Sequence, residues 1–200
     1  MVPENYSAGL ISQSFWFHEF KTVVKLHHSG MELAEIKKKC VEENLFGADK
    51  EYRANRMAGY IITRLKNMDD TLAEIFSESD LPTQKLINLF VIIKNDRLFF
   101  EFLYEVYREK VQLGADLIEA SDVNVFFTKK EAQSEVIAGW NDGTKKHLRS
   151  NYLNFMTDAN LLTEINRKKT ITPPVLDVAF EQYLKTNNLD MFIKALTGVN

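Results

Sequence analysis

Residues 140–172, WNDGTKKHLRSNYLNFMTDANLLTEINRKKTIT, contain the pattern that decides the fold of this chain. A helix is predicted over 143–159 with Asp142 as its N-cap, and its apolar side chains share one inward face at spacings of four and three: Leu148, Tyr152 and Phe155. A short β-hairpin follows, with its turn at 166–168. Two short helices precede these elements, at 122–128 and 130–138. Three helices followed by a two-stranded wing are typical of a winged helix-turn-helix, in which one helix enters the major groove of DNA.

Cations lie on the predicted outer face of this helix and on the hairpin. Because cations near an inserted helix contact phosphates, we expect one DNA-contacting surface built from both elements. Its candidate residues are Lys145, Lys146, Arg149, Arg167, Lys168 and Lys169. Three-helix units with a basic face also serve as protein-interaction modules, so this alternative stays open.

The region 31–66 repeats this arrangement more weakly. A helix is predicted over 31–44, and a second one runs from a cap at Asp49 with three apolar side chains facing inward: Met57, Ile61 and Leu65. The cations of the second helix are predicted to be exposed and to contact DNA: Lys50, Arg53 and Arg56, with Arg64 beside them. Nearby carboxylates offer the alternative of a salt-bridged face: Glu35, Glu42, Glu43 and Glu51.

Most of the remaining chain has helical periodicity. A helix over 13–29 is predicted to end at Gly30 in a left-handed cap, and Pro82 suits the first turn of a helix that reaches residue 93. The next helix, over 96–113, has an apolar row and a stripe of carboxylates predicted to be exposed: Glu101, Glu105 and Glu109. Further helices are predicted from Pro174 and around 189–196.

These elements predict a mainly α-helical protein with a small C-terminal β-hairpin wing. We expect two regions: residues 1–113, which contain the helix-turn-helix-like unit of 31–66, and residues 114–200, which form the winged-helix-like region. A length of 200 residues is compatible with one domain or two small ones. Gly and Pro number only 8 and 4, which favours long helices and few tight turns.

Charge is distributed unevenly along a chain whose net charge is -3. Residues 67–140 contain seven cations and fourteen carboxylates, whereas the segments 31–66 and 141–170 are mildly basic. Local basic patches can bind nucleic acid in an acidic protein, because the relevant field acts within about one Debye length. The acidic middle segment is expected to face away from DNA, and it serves either as a docking surface or simply as a solvated surface.

The sequence gives little support to catalysis, and we expect no enzyme activity, cofactor or metal. It has no glycine-rich phosphate loop and no motif of a hydrolase or metalloprotease. The adjacent His27 and His28 diverge on a helix, and Cys40 lies on an apolar helix face. The single cysteine, the absence of a long apolar run and the absence of Lys and Arg from residues 1–12 favour a cytoplasmic protein without a membrane segment.

Four features of the sequence occur together in a fixed order: 5–8 (NYSA) before a long helix, 41–45 (VEENL) at the close of the second helix, Arg56 followed eight residues later by 64–65 (RL), and the helical pair of 82–110. In these features the chain resembles the BrxA family of bacteriophage exclusion (BREX) systems over roughly residues 5–197. The resemblance implies a cytoplasmic, largely helical protein similar to the antitermination factor NusB, with duplex DNA binding and no catalytic activity. It also implies partners of the same defence system: a DNA methyltransferase, an ATPase and a phosphatase-like protein.

Together, the residues and the resemblance predict a non-catalytic accessory protein that binds double-stranded DNA in phage defence. In one alternative, the similarity to NusB extends to structured RNA as the ligand, with Tyr52 and Tyr60 as candidate stacking residues. In the other, the chain is a protein scaffold of the defence complex that binds no nucleic acid.

Overall fold

The protein is mainly α-helical in the computed structural model, which describes residues 2–199. A short 3-10 helix at Gly9–Ser12 precedes the α-helices of the first part. These are α1 (Phe17–His28), α2 (Leu33–Glu42), α3 (Glu51–Leu65), α4 (Asp70–Glu78), α5 (Leu81–Ile93), α6 (Arg97–Phe102) and α7 (Arg108–Gln112). The second part contains β1 (Leu117–Ile118), α8 (Ala120–Gln133), α9 (Glu135–Ala138), α10 (Asp142–Asp158), β2 (Leu162–Ile165), β3 (Lys168–Ile171), α11 (Val178–Thr186) and α12 (Asp190–Thr197). The predicted fold class is confirmed.

Local capping explains where several helices begin and end. Asp96 caps α6 by accepting a hydrogen bond from the backbone N–H of Phe99, Pro82 lies in the first turn of α5, and Gly30 has a φ of 90° after α1. Two predicted caps are displaced by one residue. Lys50 occupies the N-cap position of α3 while Asp49 pairs with Arg53, and the side chain of Asn141, rather than Asp142, accepts a bond from the N–H of Thr144 at the start of α10. Likewise, α11 begins after a cap at Asp177 and not at Pro174.

The predicted hairpin forms two strands of a three-stranded antiparallel sheet. Strand β3 lies in the centre, between β2 and the additional strand β1. The turn consists of two residues, Asn166 and Arg167, with φ angles of 50° and 63°. Positive φ at both positions matches a turn whose twist suits a hairpin, so Lys168 already belongs to β3. The two helices predicted at 122–128 and 130–138 have different bounds in the structure: α8 is longer and extends to Gln133, and α9 is short and covers Glu135–Ala138.

A π-helical turn at Leu103–Tyr107 joins α6 to α7 and changes the register of the predicted 96–113 helix. The extra residue brings Tyr107 into the core, where it is fully buried, while Val106 is only half-buried. Glu101 is half-buried as well, so its predicted exposure is wrong.

The inner face of α10 packs on α6 at the centre of the core. The rings of Tyr152 and Phe99 are stacked with centroids 4.3 Å apart, and Phe102, Phe127 and Phe155 surround them. The predicted inward residues Leu148, Tyr152 and Phe155 are all buried. Because the aromatic contacts fix the rotation of α10, its opposite face is directed to solvent.

Candidate nucleic-acid interface

The solvent face of α10 carries polar side chains and no carboxylate between Asp142 and Asp158. Between these two exposed aspartates its exposed residues follow helical spacing: Gly143, Lys146, His147, Ser150 and Asn154. Within residues 2–199, no carboxylate lies at ion-pair distance from Lys146. Asp142 and Asp158 are exposed at the two ends of this face, so a polyanion can approach its middle part, from Gly143 to Asn154, without meeting a carboxylate of α10.

Lys145 and Arg149 lie closer to the core than predicted, and the expected exposure of Lys145 is wrong. Lys145 is 8% exposed because it shares the side of α10 that carries Leu148, and its Nζ lies 3.1 Å from Oε2 of Glu131. Arg149 lies 3.9 Å from the same carboxylate, with its guanidinium 4.9 Å from the centroid of the Phe127 ring. Glu131 of α8 thus ties both cations to the body of the protein.

The hairpin cations also divide into two kinds. Lys169 donates to Glu164 on the neighbouring strand at 2.6 Å and to the hydroxyl of Thr157 at 3.2 Å. This contact lowers the pKa of the Glu164 carboxyl. Arg167 and Lys168 are exposed at the tip, and within the described chain neither has a carboxylate at ion-pair distance.

Helix α3 presents a second exposed polar face. Lys50, Arg53 and Arg56 are exposed, while Ile61 and Leu65 are buried as predicted and Met57 is half-buried. Arg53 pairs with Asp49 at 2.9 Å, whereas Glu42 and Glu43 pair with lysines of their own helix, α2. No Asp or Glu occurs in the sequence from 52 to 66, so most of the outer face of α3 is free of carboxylates.

Arg64 departs most clearly from its prediction, because it is buried rather than part of the outer face of α3. It is 2% exposed and donates to the backbone oxygens of Phe15 at 2.6 Å and Ser14 at 2.7 Å. Burial lowers its pKa to about 9, which still leaves the guanidinium charged at neutral pH. The sequence analysis missed the role of residues 13–16, which lie between α3 and α10 and which contain no motif of their own.

Two of the three carboxylates in the stripe of 96–113, Glu101 and Glu105, form ion pairs within the protein. The buried Nζ of Lys130 lies 2.7 Å from Glu101 and 2.6 Å from Glu105, and Glu101 also accepts from Arg97 and Tyr6. Glu109 is exposed. The acidic middle segment therefore contributes less free charge to the surface than its sequence indicates.

Other classes of site are not evident in the described chain. Residues 2–199 contain no group of three or more His, Cys, Asp or Glu side chains placed to hold a metal ion. Cys40 is buried, and burial raises the pKa of its thiol. No described helix combines the length and the apolar character needed to cross a bilayer.

Known proteins similar to this chain were found by sequence and by structure. The family model of BrxA matches residues 4–188. The chain belongs to the BrxA family. The BREX protein BrxA of Bacillus cereus (strain H3081.97) is 33% identical over 199 residues, which are 99% of this chain and 100% of that protein. The family match and this identity confirm the resemblance inferred from the residues. BrxA is a component of BREX phage-defence systems.

A solved structure shares the fold of this BrxA protein. The crystal structure of an uncharacterized protein from Magnetospirillum magneticum matches it with a TM-score of 0.82, covering 97% of this chain and 99% of that one. At 15% identity this similarity concerns the fold alone.

Proposed function

We propose that this BrxA protein binds double-stranded DNA as a non-catalytic accessory component of its BREX system. The connectivity of the C-terminal part carries the proposal: β1 is followed by α8, α9 and α10, then by the β2–β3 hairpin, with β3 in the centre of the sheet. As in a winged helix-turn-helix, shorter helices precede a longer helix that is followed directly by a β-hairpin. In the proposal, α10 takes the role of the helix that enters the major groove, and the hairpin takes that of the wing.

The side chains at these positions suit the two kinds of DNA contact. Lys146 on α10 and the tip residues Arg167 and Lys168 are exposed cations that contact phosphates in this proposal. Ser150 and Asn154 point from the same face and can reach base edges, where hydroxyl and amide groups bond to bases. The remaining candidates of this unit, Lys145, Arg149 and Lys169, add positive potential while their ion pairs hold α10 and the wing in place.

Helix α3 supplies a second contact in the proposal. Its exposed cations Lys50, Arg53 and Arg56 lie on a helix whose outer face is otherwise uncharged or basic. Such a helix contacts the phosphate backbone beside the inserted α10. The helix-turn-helix-like region within 1–113 and the winged region within 114–200 would thus act on one duplex.

The alternatives receive less support. Binding of structured RNA favours aromatic side chains that stack on unpaired bases. Tyr52 is 68% exposed, but the ring of Tyr60 already stacks on Trp16 with centroids 6.1 Å apart. A scaffold without nucleic-acid binding would use the acidic segment, in which four carboxylates form ion pairs within the protein: Glu101, Glu105, Asp122 and Glu131. The methyltransferase, the ATPase and the phosphatase-like protein of the system stay proposed partners.

Fluorescence-anisotropy titrations test the proposal. Labelled 24-base-pair DNA, single-stranded DNA of the same sequence and duplex RNA are titrated with the protein at 50 and 200 mM salt. We expect the tightest binding to duplex DNA, with affinity falling steeply as salt rises, because protein cations release counterions from phosphates. Tighter binding to RNA, or binding to none of the three, would overturn the proposal.

A further inference from the structure

We infer that residues 13–16, here named the connecting segment, hold α3 and α10 at a fixed relative position, so that one duplex engages both helices. The inference rests on the proposed function and adds two positioning residues to it, Arg64 and Asn151. In this inference neither contacts DNA; both fix the helices that do.

Arg64 attaches the connecting segment to α3. Its guanidinium donates to the backbone oxygens of Ser14 and Phe15 and to Oε1 of Gln13 at 3.2 Å. Burying a guanidinium among backbone oxygens requires several well-placed hydrogen bonds to offset the loss of hydration. An apolar residue could fill this place on the inner side of α3, but it could not bind three successive residues of an irregular segment.

Asn151 attaches α10 to the 3-10 helix that precedes the connecting segment and to the first residue of that segment. Its side-chain Nδ2 donates to the backbone oxygen of Leu10 at 2.8 Å and to that of Gln13 at 3.4 Å. Gln13 is therefore bonded from both helices, through its side chain by Arg64 and through its backbone by Asn151. Within residues 2–199, α3 and α10 make no extensive direct contact; α5 packs against both helices, and this stretch adds a second, hydrogen-bonded connection between them.

Several contacts hold the connecting segment in one conformation, as fixing the positions of α3 and α10 requires. Asn88 of α5 donates to the backbone oxygen of Phe15 at 2.9 Å, so that oxygen is held by two buried side chains. Trp16 has a φ of 45°, a left-handed conformation that is unfavourable for a bulky residue and persists only where its surroundings enforce it. Its ring stacks on Tyr60 of α3 and lies 5.5 Å from the Arg64 guanidinium.

Rigid connection has a measurable consequence for binding. When one duplex contacts two linked faces, the second contact forms at a high effective concentration, and that gain is lost if the faces no longer fit together. Breaking the bonds of Asn151 should therefore disengage α3 from a duplex that is bound at α10. A cation of α3 would then stop contributing to affinity.

A double-mutant cycle between Asn151 and Arg56 tests the inference. Arg56→Ala alone is expected to weaken binding to the 24-base-pair duplex by about tenfold, the worth of one charge-assisted hydrogen bond. In the Asn151→Ala background the same change is expected to weaken binding by less than twofold. Additive losses would overturn the inference, because α3 would then contribute equally with the connection intact or broken.

Controls separate this result from loss of folding and from failure of the proposed function. Asn187→Ala removes a comparable 2.8 Å bond, from an amide to the backbone oxygen of Tyr183 on α11, and should leave the effect of Arg56→Ala at about tenfold. If Asn151→Ala does not fold, Asn151→Leu keeps the volume without the donors and enters the same cycle. If Lys146→Ala weakens duplex binding while the effects of Arg56→Ala and Asn151→Ala are additive, only the inference about the connecting segment is contradicted. If the wild-type protein does not bind duplex DNA, the proposed function itself is contradicted.

Discussion

The pH dependence of unfolding is expected to be dominated by Asp96, the N-cap of α6. Asp96 is 5% exposed and accepts a bond of 2.8 Å from the N–H of Phe99. Burial raises its pKa to about 6, although the bonds from backbone N–H groups act in the opposite direction. An aspartate in an unfolded chain titrates near 3.9, as model peptides do, so the folded state holds its proton to higher pH.

The perturbation is Asp96→Asn, which keeps the capping oxygen and removes the charge. Between about pH 4 and 6 the folded wild type holds a proton that the unfolded chain has lost, so its stability falls as pH rises through this window. A difference of about two pKa units corresponds to about 3 kcal/mol. The variant is therefore expected to match the wild type at pH 4 and to be more stable by up to about 3 kcal/mol at pH 7.5.

Urea denaturation at pH 4, 5, 6 and 7.5 measures this difference. Asp80 provides the matched control because it caps α5 in the same way but from an exposed position. Its bonds from Thr83 lower its pKa, so Asp80→Asn should lose stability at pH 7.5, and the loss should shrink as pH falls through the folded pKa. An Asp96→Asn variant less stable than the wild type at pH 7.5 would refute the reasoning, since the buried charge would then stabilise the fold.

Three further predictions concern the charged surface. Replacing Arg167 and Lys168 together by Ala should weaken binding to all duplex sequences and reduce the slope of log affinity against log salt by about two, in anisotropy titrations; an unchanged slope would exclude the wing from phosphate contact. Lys146→Ala should weaken DNA binding and change the free energy of unfolding by no more than about 0.5 kcal/mol. Lys145→Ala should clearly lower the free energy of unfolding, because it removes the ion pair between Lys145 and Glu131. Urea denaturation distinguishes the two variants, and equal stability of both would contradict the burial assigned to Lys145. Glu101→Lys should destabilise the fold by about 3–5 kcal/mol because it places a cation beside the buried Lys130, whereas Glu109→Lys should fold normally. Loss of co-purification of the Glu109→Lys variant with another BREX component would indicate a docking surface at Glu109. Retained co-purification would exclude Glu109 from such a surface.

Local chemistry made part of the fold predictable from the sequence. Pro82 in a first turn and Gly30 after a helix each act within a few residues, so the residue types suffice to indicate them. The inward row of α10 was also predictable, because a repeating apolar spacing selects one face of a helix. The same reasoning correctly placed Ile61 and Leu65 in the core.

Contacts between distant residues could not be predicted in this way. Strand β1 has two residues, Leu117 and Ile118, and it exists only because β3 pairs with it from more than 50 positions away. Arg64 was assigned to the surface because a cation is usually exposed, but its partners lie about 50 residues earlier in an irregular segment. The π-helical turn at Leu103–Tyr107 likewise has no local pattern that distinguishes it from a regular helix.

An acidic protein can bind DNA when its carboxylates are kept away from the contacting faces, and internal pairing contributes to that separation here. Lys130 and Lys110 neutralise carboxylates around α8, at Glu101, Glu105 and Asp122, while Glu131 is held by Lys145 and Arg149. The outward faces of α3 and α10 retain cations without adjacent carboxylates over most of their length. Since charges beyond about 8–10 Å are screened at physiological salt, a phosphate bound at α10, as proposed, would respond mainly to nearby side chains such as Lys146 rather than to the net charge of the chain.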